Sequence, residues 1–153
     1  MRKRLLTVVL AGLLGSMAMG AGVQRAAGPV VEVYKTPTCG CCGTWVEHLR
    51  ADGFTVRVTD MPDLSRIKSS NRIPPSLQSC HTAKVGSYVV EGHVPAQDIR
   101  KVLATRPAIA GVAVAGMPIG SPGMEVAGVR PQPYDVMAFD AQGKTSVFAS
   151  HNR

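Results

Sequence analysis

Three absences narrow the reading before any motif is considered. The 153-residue chain has no basic run after Arg2, Lys3 and Arg4, and its seven aromatics are not interleaved with basic side chains. The electrostatic footprint of a nucleic-acid binder is therefore missing, and no nucleic-acid partner is expected. The apolar stretch near the N-terminus falls short of the about 20 residues that a comfortable transmembrane helix needs. That stretch also contains no cysteine, which argues against lipoprotein processing.

What stands there instead is an export signal. Three basic residues precede a largely apolar run from Leu5 to Leu14, followed by small residues from Ser16 to Gly22. A basic, then apolar, then small-residue order reads as a secretory signal peptide over 1–22, with cleavage best placed after Gly20 or Ala21. The expected product is a periplasmic protein with no membrane attachment after cleavage. Three of the 17 basic residues leave with the leader, so the formal charge falls from +7 to +4. The high pI of about 9.6 is thus partly a property of the leader. The remainder, 28–153, suits a single domain with one modest core.

All four cysteines lie in that remainder, at 39, 41, 42 and 80. An even count in an exported chain normally implies disulfides. Adjacent Cys41 and Cys42 make poor staples for each other, because disulfide geometry wants separated, facing Cβ atoms. Three thiols within four residues are better suited to holding a metal.

Hydrophobic periodicity and turn residues place the cluster. Val30 to Tyr34 reads as a strand broken by Thr36-Pro37-Thr38. A helix is expected from about Cys41 to Ala51, with Trp45, Val46 and Leu49 at core spacing, ended by Asp52-Gly53. Phe54 to Thr59 reads as a second strand, Pro62 to Ser70 as a second helix, and His81 to Gly92 as two strands hinged near Gly86. Pro95 opens a third helix, to Thr105, as proline suits a first helical turn. The resulting α/β order, β-α-β-α-β-β-α, is the thioredoxin-like arrangement. Its thiols sit at a helix N-terminus, where the dipole and free N–H groups favour thiolate.

Thiolate both attacks disulfides and binds metal, so several chemistries stay open. Cys39 and Cys42 have the C-x-x-C spacing of a redox pair, but Cys41 inside the pair adds nothing obvious to exchange. Adjacent thiolates can, however, bridge neighbouring soft ions. Metal binding, thiol–disulfide exchange and purely structural cysteines all remain in view. Cys80, just before the third strand, is placed to be a fourth ligand or the resolving partner of Cys42. His81 should point away from Cys80 if both residues are extended; ligation and a backbone-bonded histidine are equally open. His48 lies seven residues past Cys41, about 10 Å along the helix, too far for a shared metal shell. His93 is either a ligand or a local turn residue.

Pro107 to Tyr134 holds five glycines and five prolines in 28 residues, with Val112, Val114, Ile119 and Val126 as expected apolar anchors. A loop that long in a small domain usually serves a function. Met117 and Met124 within it are either soft thioether ligands or plugs pinning the loop to the core. Tyr134 to Phe139 and Lys144 to Ala149 read as a C-terminal β-hairpin with Met137 in the core.

Several of these segments together resemble one family. They are Tyr34-Lys-Thr-Pro-Thr-Cys-Gly-Cys-Cys42 with Trp45, His48-Leu49 and Gly53-Phe54; Ser79-Cys-His-Thr-Ala83; Glu91-Gly-His-Val-Pro95; and Gly116-Met-Pro118 with Gly120-Ser-Pro-Gly-Met124. The chain is similar along nearly all its mature length to the CopG-type periplasmic copper-resistance family, distinct from the DNA-binding repressor of the same name. The resemblance implies a thioredoxin-like domain and copper held by the C-x-C-C thiols with Cys80.

The expectation is thus a periplasmic protein of copper resistance or homeostasis, holding Cu(I), with more than one ion per chain, through Cys39, Cys41, Cys42 and Cys80. Met117, Met124, His81 and His93 are further candidate ligands. Its expected partners are copper ions and other periplasmic copper-handling proteins. The alternative is a periplasmic thiol–disulfide or copper-linked oxidoreductase using Cys39 and Cys42 with Cys80. A zinc-stabilised module is chemically permissible but leaves the methionine loop without a reason.

Overall fold

The alternation of valines in Val30–Lys35 (β1) buries Val31 and Val33 completely and leaves Val30 and Glu32 exposed, as a pleated strand with one core face requires. The computed structural model that shows this describes residues 28–153, so the leader assigned to 1–22 lies outside the described residues. β1 pairs in parallel with Thr55–Asp60 (β2) and antiparallel with Thr82–Val85 (β3). The parallel pair needs a crossover, which Gly40–Ala51 (α1) supplies while burying Trp45, Val46 and Leu49. Ser65–Ser70 (α2) and a 3-10 turn at Pro75–Leu77 lead back to β3. Tyr88–Glu91 (β4) follows, then Ala96–Thr105 (α3), Gly111–Ala113 (β5), Tyr134–Phe139 (β6) and Thr145–His151 (β7).

The expected order β-α-β-α-β-β-α is present, and the C-terminal hairpin extends the same sheet. Seven strands run in the order β2-β1-β3-β4-β5-β6-β7. The main core lies on one face, where Val31, Val33, Val85, Val90 and Val112 meet α1 and α3. A smaller cluster of Ile73, Leu77, Val89, Ala113 and Phe139 covers the other face beneath the segment after α2. Among the described residues no helix is long and apolar enough to cross a membrane.

Several boundaries move for local reasons. α2 starts at Ser65 rather than Pro62, because the Asp63 carboxylate accepts from the Ser65 N–H and hydroxyl at the helix entrance. Pro95 stands just before α3 instead of within it. The glycine- and proline-rich segment is not wholly irregular: β5 forms inside it, parallel to β4. A three-residue strand is too short to show alternation. Val112 and Val114 are buried anchors, as expected, but Val126 is 49% exposed and anchors nothing. Met137 is only half-buried, packed against the smaller cluster.

Candidate metal centre

The site is assembled where β1 gives way to α1. Thr36-Pro37-Thr38 ends the strand, a turn closes with the Cys39 N–H donating to Thr36 O at 3.1 Å, and the helix begins at Gly40. Cys41 and Cys42 fall in the first helical turn. There the uncapped helix N-terminus supplies positive potential. No side chain caps this helix, and Cys39 stands at its N-cap position.

Cys42 is fully buried and joined in a disulfide to Cys39, with Cα atoms 5.4 Å apart, inside the ordinary range. Cys41 and Cys80 carry free thiols and are half-buried. Cys41 Sγ lies 3.5 Å from Cys39 Sγ, and Cys42 Sγ lies 3.9 Å from the Cys80 carbonyl oxygen. All four sulfur atoms lie within 4.8 Å of one another. The structure therefore brings together the four cysteines that the sequence singles out, including one that is 38 residues away from its nearest partner.

Cys80 also belongs to a second group. Its sulfur is 3.4 Å from His81 Nδ1 and 3.1 Å from His93 Nε2. The expectation that His81 points away from Cys80 is therefore corrected. Cys80 sits in a bend and β3 begins only at Thr82, so strand alternation does not apply to the pair. His93 Nδ1 lies 2.8 Å from Pro122 O, which makes Nδ1 the protonated nitrogen and leaves the Nε2 lone pair toward the sulfur. His81 is wedged between the rings of Trp45 and His93, and its Nε2 is buried without a hydrogen-bond partner.

Burial sets the protonation states. Desolvation, with the charges of His93 and Lys68 adding to it, pushes His81 down to about 3. Burial also lowers His93. Both imidazoles are thus neutral in neutral solution, the form that ligates metal. Desolvation, reinforced by neighbouring Cys41, raises the Cys80 thiol to about 11. An ion entering the cluster must displace that proton.

The methionine loop reaches the site through its backbone. Ser79 Oγ donates to Gly116 O at 2.5 Å, Pro122 O meets His93, and Gly123 packs on the first turn of α1. Met117 is 51% exposed, so it is not a core plug, and Met124 is half-buried. His48 stands apart from both groups, and its Nε2 accepts from the Ala96 N–H at 3.1 Å at the entrance to α3. His151, in the C-terminal strand, pairs with Asp98 at 2.7 Å. Sequence reasoning missed the buried pair Lys68–Glu91 beside Cys80. Its only signal was a carboxylate ending the apolar run Tyr88-Val89-Val90.

Fold and site together define a mixed α/β protein whose four clustered cysteines could hold a metal ion. The family described as "Protein of unknown function, DUF411" matches residues 77–124, the part carrying Cys80, His81, His93 and the methionine loop. Two solved structures, "Copper resistance protein copG- Form 2" and "Form 1", are each 44% identical to this chain. Both comparisons cover 81% of this chain and 98% of the solved one, with TM-scores of 0.77 and 0.76. None of the curated proteins matches. At that identity and coverage the chain belongs to the CopG copper-resistance protein family.

Proposed function

We propose that this is a periplasmic copper-binding protein serving copper resistance or homeostasis, exported by cleavage of the leader 1–22 and built on a thioredoxin-like domain. The observation that carries the reading is the packing of four cysteine sulfurs within 4.8 Å of one another. Thiolate sulfur is a soft donor that selects Cu(I), and sulfurs this close can bridge more than one ion. The names of the two solved relatives support copper as the cargo. The neutral imidazoles of His81 and His93 would add nitrogen donors at the Cys80 side, and Met117 or Met124 a thioether at the loop side. Ions would be exchanged with other periplasmic copper-handling proteins.

Four free thiols exist only after the Cys39–Cys42 disulfide takes up two electrons and two protons, and metal binding then displaces the protons. Thiol counting should therefore give two in the oxidised protein and four after reduction. Anaerobic loading of reduced protein with Cu(I), followed by X-ray absorption at the copper edge, should show sulfur-dominated coordination with more than one copper per chain. A mainly nitrogen and oxygen shell would sink the cluster reading.

The same disulfide favours one second reading. The Cys39/Cys42 dithiol could reduce a partner disulfide, becoming the disulfide seen here as the partner gains two thiols, with Cys80 as a further participant. A periplasmic thiol–disulfide or copper-linked oxidoreductase would use the same residues.

A further inference from the structure

Glu91 is fully buried, and the function proposed above makes no use of it. A buried carboxylate is costly unless paired and hydrogen-bonded, so its partners indicate what it is there to hold. Oε1 accepts from the Ser79 backbone N–H at 2.6 Å and from Lys68 Nζ. Oε2 accepts from the Thr82 hydroxyl at 2.7 Å. Ser79 and Thr82 are the residues directly before and after Cys80-His81. One side chain thus fastens both ends of the two-residue segment that carries the fourth thiol.

Neighbouring groups continue the grip. Lys68, reaching in from α2 and itself nearly buried, donates to the Thr82 hydroxyl at 3.2 Å. The Gly92 N–H donates to His81 O at 3.0 Å, and a Cβ at Gly92 would sit 2.6 Å from the Ser79 hydroxyl oxygen. Ser79 to His81 lies between the 3-10 turn and β3, so no strand ladder holds these residues. Stability alone does not call for such a pair, because replacing a buried ion pair by packed hydrophobic residues is often neutral or stabilising. Hydrophobic residues could not hold an N–H and a hydroxyl on either side of a cysteine.

We propose that Glu91, neutralised by Lys68, is a positioning residue for the cysteine cluster, holding Cys80 within reach of Cys39, Cys41 and Cys42. The effect on copper rests on the copper-binding reading, but the placement of Cys80 does not.

Two full-length double variants separate this clamp from mere burial. Lys68→Met/Glu91→Gln removes both charges but keeps an amide able to accept from Ser79 and donate to Thr82. Lys68→Met/Glu91→Leu removes the charges and the clamp together. Alkylation of Cys80 by iodoacetamide in reduced, metal-free protein is followed by peptide mass mapping, and Cu(I) retention by competition with a chromophoric chelator. The Gln protein should match the native chain in both measurements. The Leu protein should be alkylated at Cys80 about tenfold faster and hold Cu(I) about tenfold less tightly, with Cys41 reactivity unchanged. Equal Cys80 rates in the Gln and Leu proteins, native-like or raised, overturn the proposal. Should the Leu protein not fold, Thr82→Val removes one anchor. A rise of about threefold at Cys80 is then expected, and no rise overturns the proposal. A native chain that retains no Cu(I) would sink the copper reading, while Cys80 alkylation still judges the clamp.

Discussion

The imidazole of His81 lies 4.3 Å from the indole of Trp45, centroid to centroid, and its buried Nε2 has no hydrogen-bond partner. An unsatisfied buried polar atom is rare in native proteins and calls for a reason. A neutral imidazole held beside Cys80 with a lone pair to spare is suited to ligation. It also makes the metal-free protein sensitive to acid.

The sign follows from the depressed value. The unfolded chain takes up a proton near the ordinary imidazole value of about 6.5. Folded His81 resists until about 3, so its contribution is fully present above the unfolded value and drains away as pH falls toward the folded one. Buried His93 acts in the same direction, whereas Glu91, raised by burial, acts oppositely. Urea midpoints of reduced, metal-free protein at pH 7, 5 and 4 should fall steadily for the native chain. His81→Phe, which shares every other titrating group, should flatten that fall. Parallel curves for the two proteins would show that His81 does not cause it.

Cys41 separates the two functional readings. Cys41→Ser leaves the Cys39/Cys42 pair intact but removes one of the four clustered sulfurs. Cu(I) stoichiometry should drop and retention weaken by about tenfold or more, comparable to losing a charge-assisted contact. If the variant loads copper normally while only Cys39→Ser or Cys42→Ser matters, in a disulfide-reduction assay, the oxidoreductase reading prevails.

Gly123 ties the methionine loop to the cluster. Its φ is +84°, and an added Cβ would lie 2.8 Å from Trp45 N and 2.9 Å from Cys41 O. Gly123→Ala should cost about 1–3 kcal/mol, since both the left-handed backbone and the close approach oppose it. Gly43, on α1 itself and with nothing within 4 Å of an added Cβ, is the control. Gly43→Ala should stabilise by about 0.5–1 kcal/mol, the usual gain from removing a helical glycine. Thermal melts of the two variants, read against copper retention, would reveal whether disturbing the loop also disturbs the ions.

The methionines themselves divide by exposure. Met117 is half exposed, so Met117→Ala should barely move the melting temperature of metal-free protein. Half-buried Met124 should cost part of the about 2–5 kcal/mol typical of a core methionine truncated to alanine. A role toward copper appears only as a further loss in the copper-loaded form. Equal losses with and without metal, at unchanged copper affinity, would reduce both residues to packing.

Local chain chemistry was enough to announce much of this protein. Cys39, Cys41 and Cys42 are held near one another by covalent spacing, and the strand–breaker–helix pattern around them follows from Val30 to Tyr34, Thr36-Pro37-Thr38 and the core spacing of Trp45, Val46 and Leu49. These signals act within a few residues and therefore survive without a fold. Other features depended on segments meeting across the sheet. Cys80 reaches the cluster because β3 pairs with β1 in one register, opposing Thr82 to Tyr34. Its placement on the same side as His81 comes from a bend that strand alternation cannot foresee. β5 exists because β4 and β6 flank three residues that carry no pattern of their own. Lys68 and Glu91, 23 residues apart, find each other only on the face opposite the main core, beneath α2. Propensity and spacing decide what a segment can become, whereas the company a buried polar group keeps is settled by long-range register and packing.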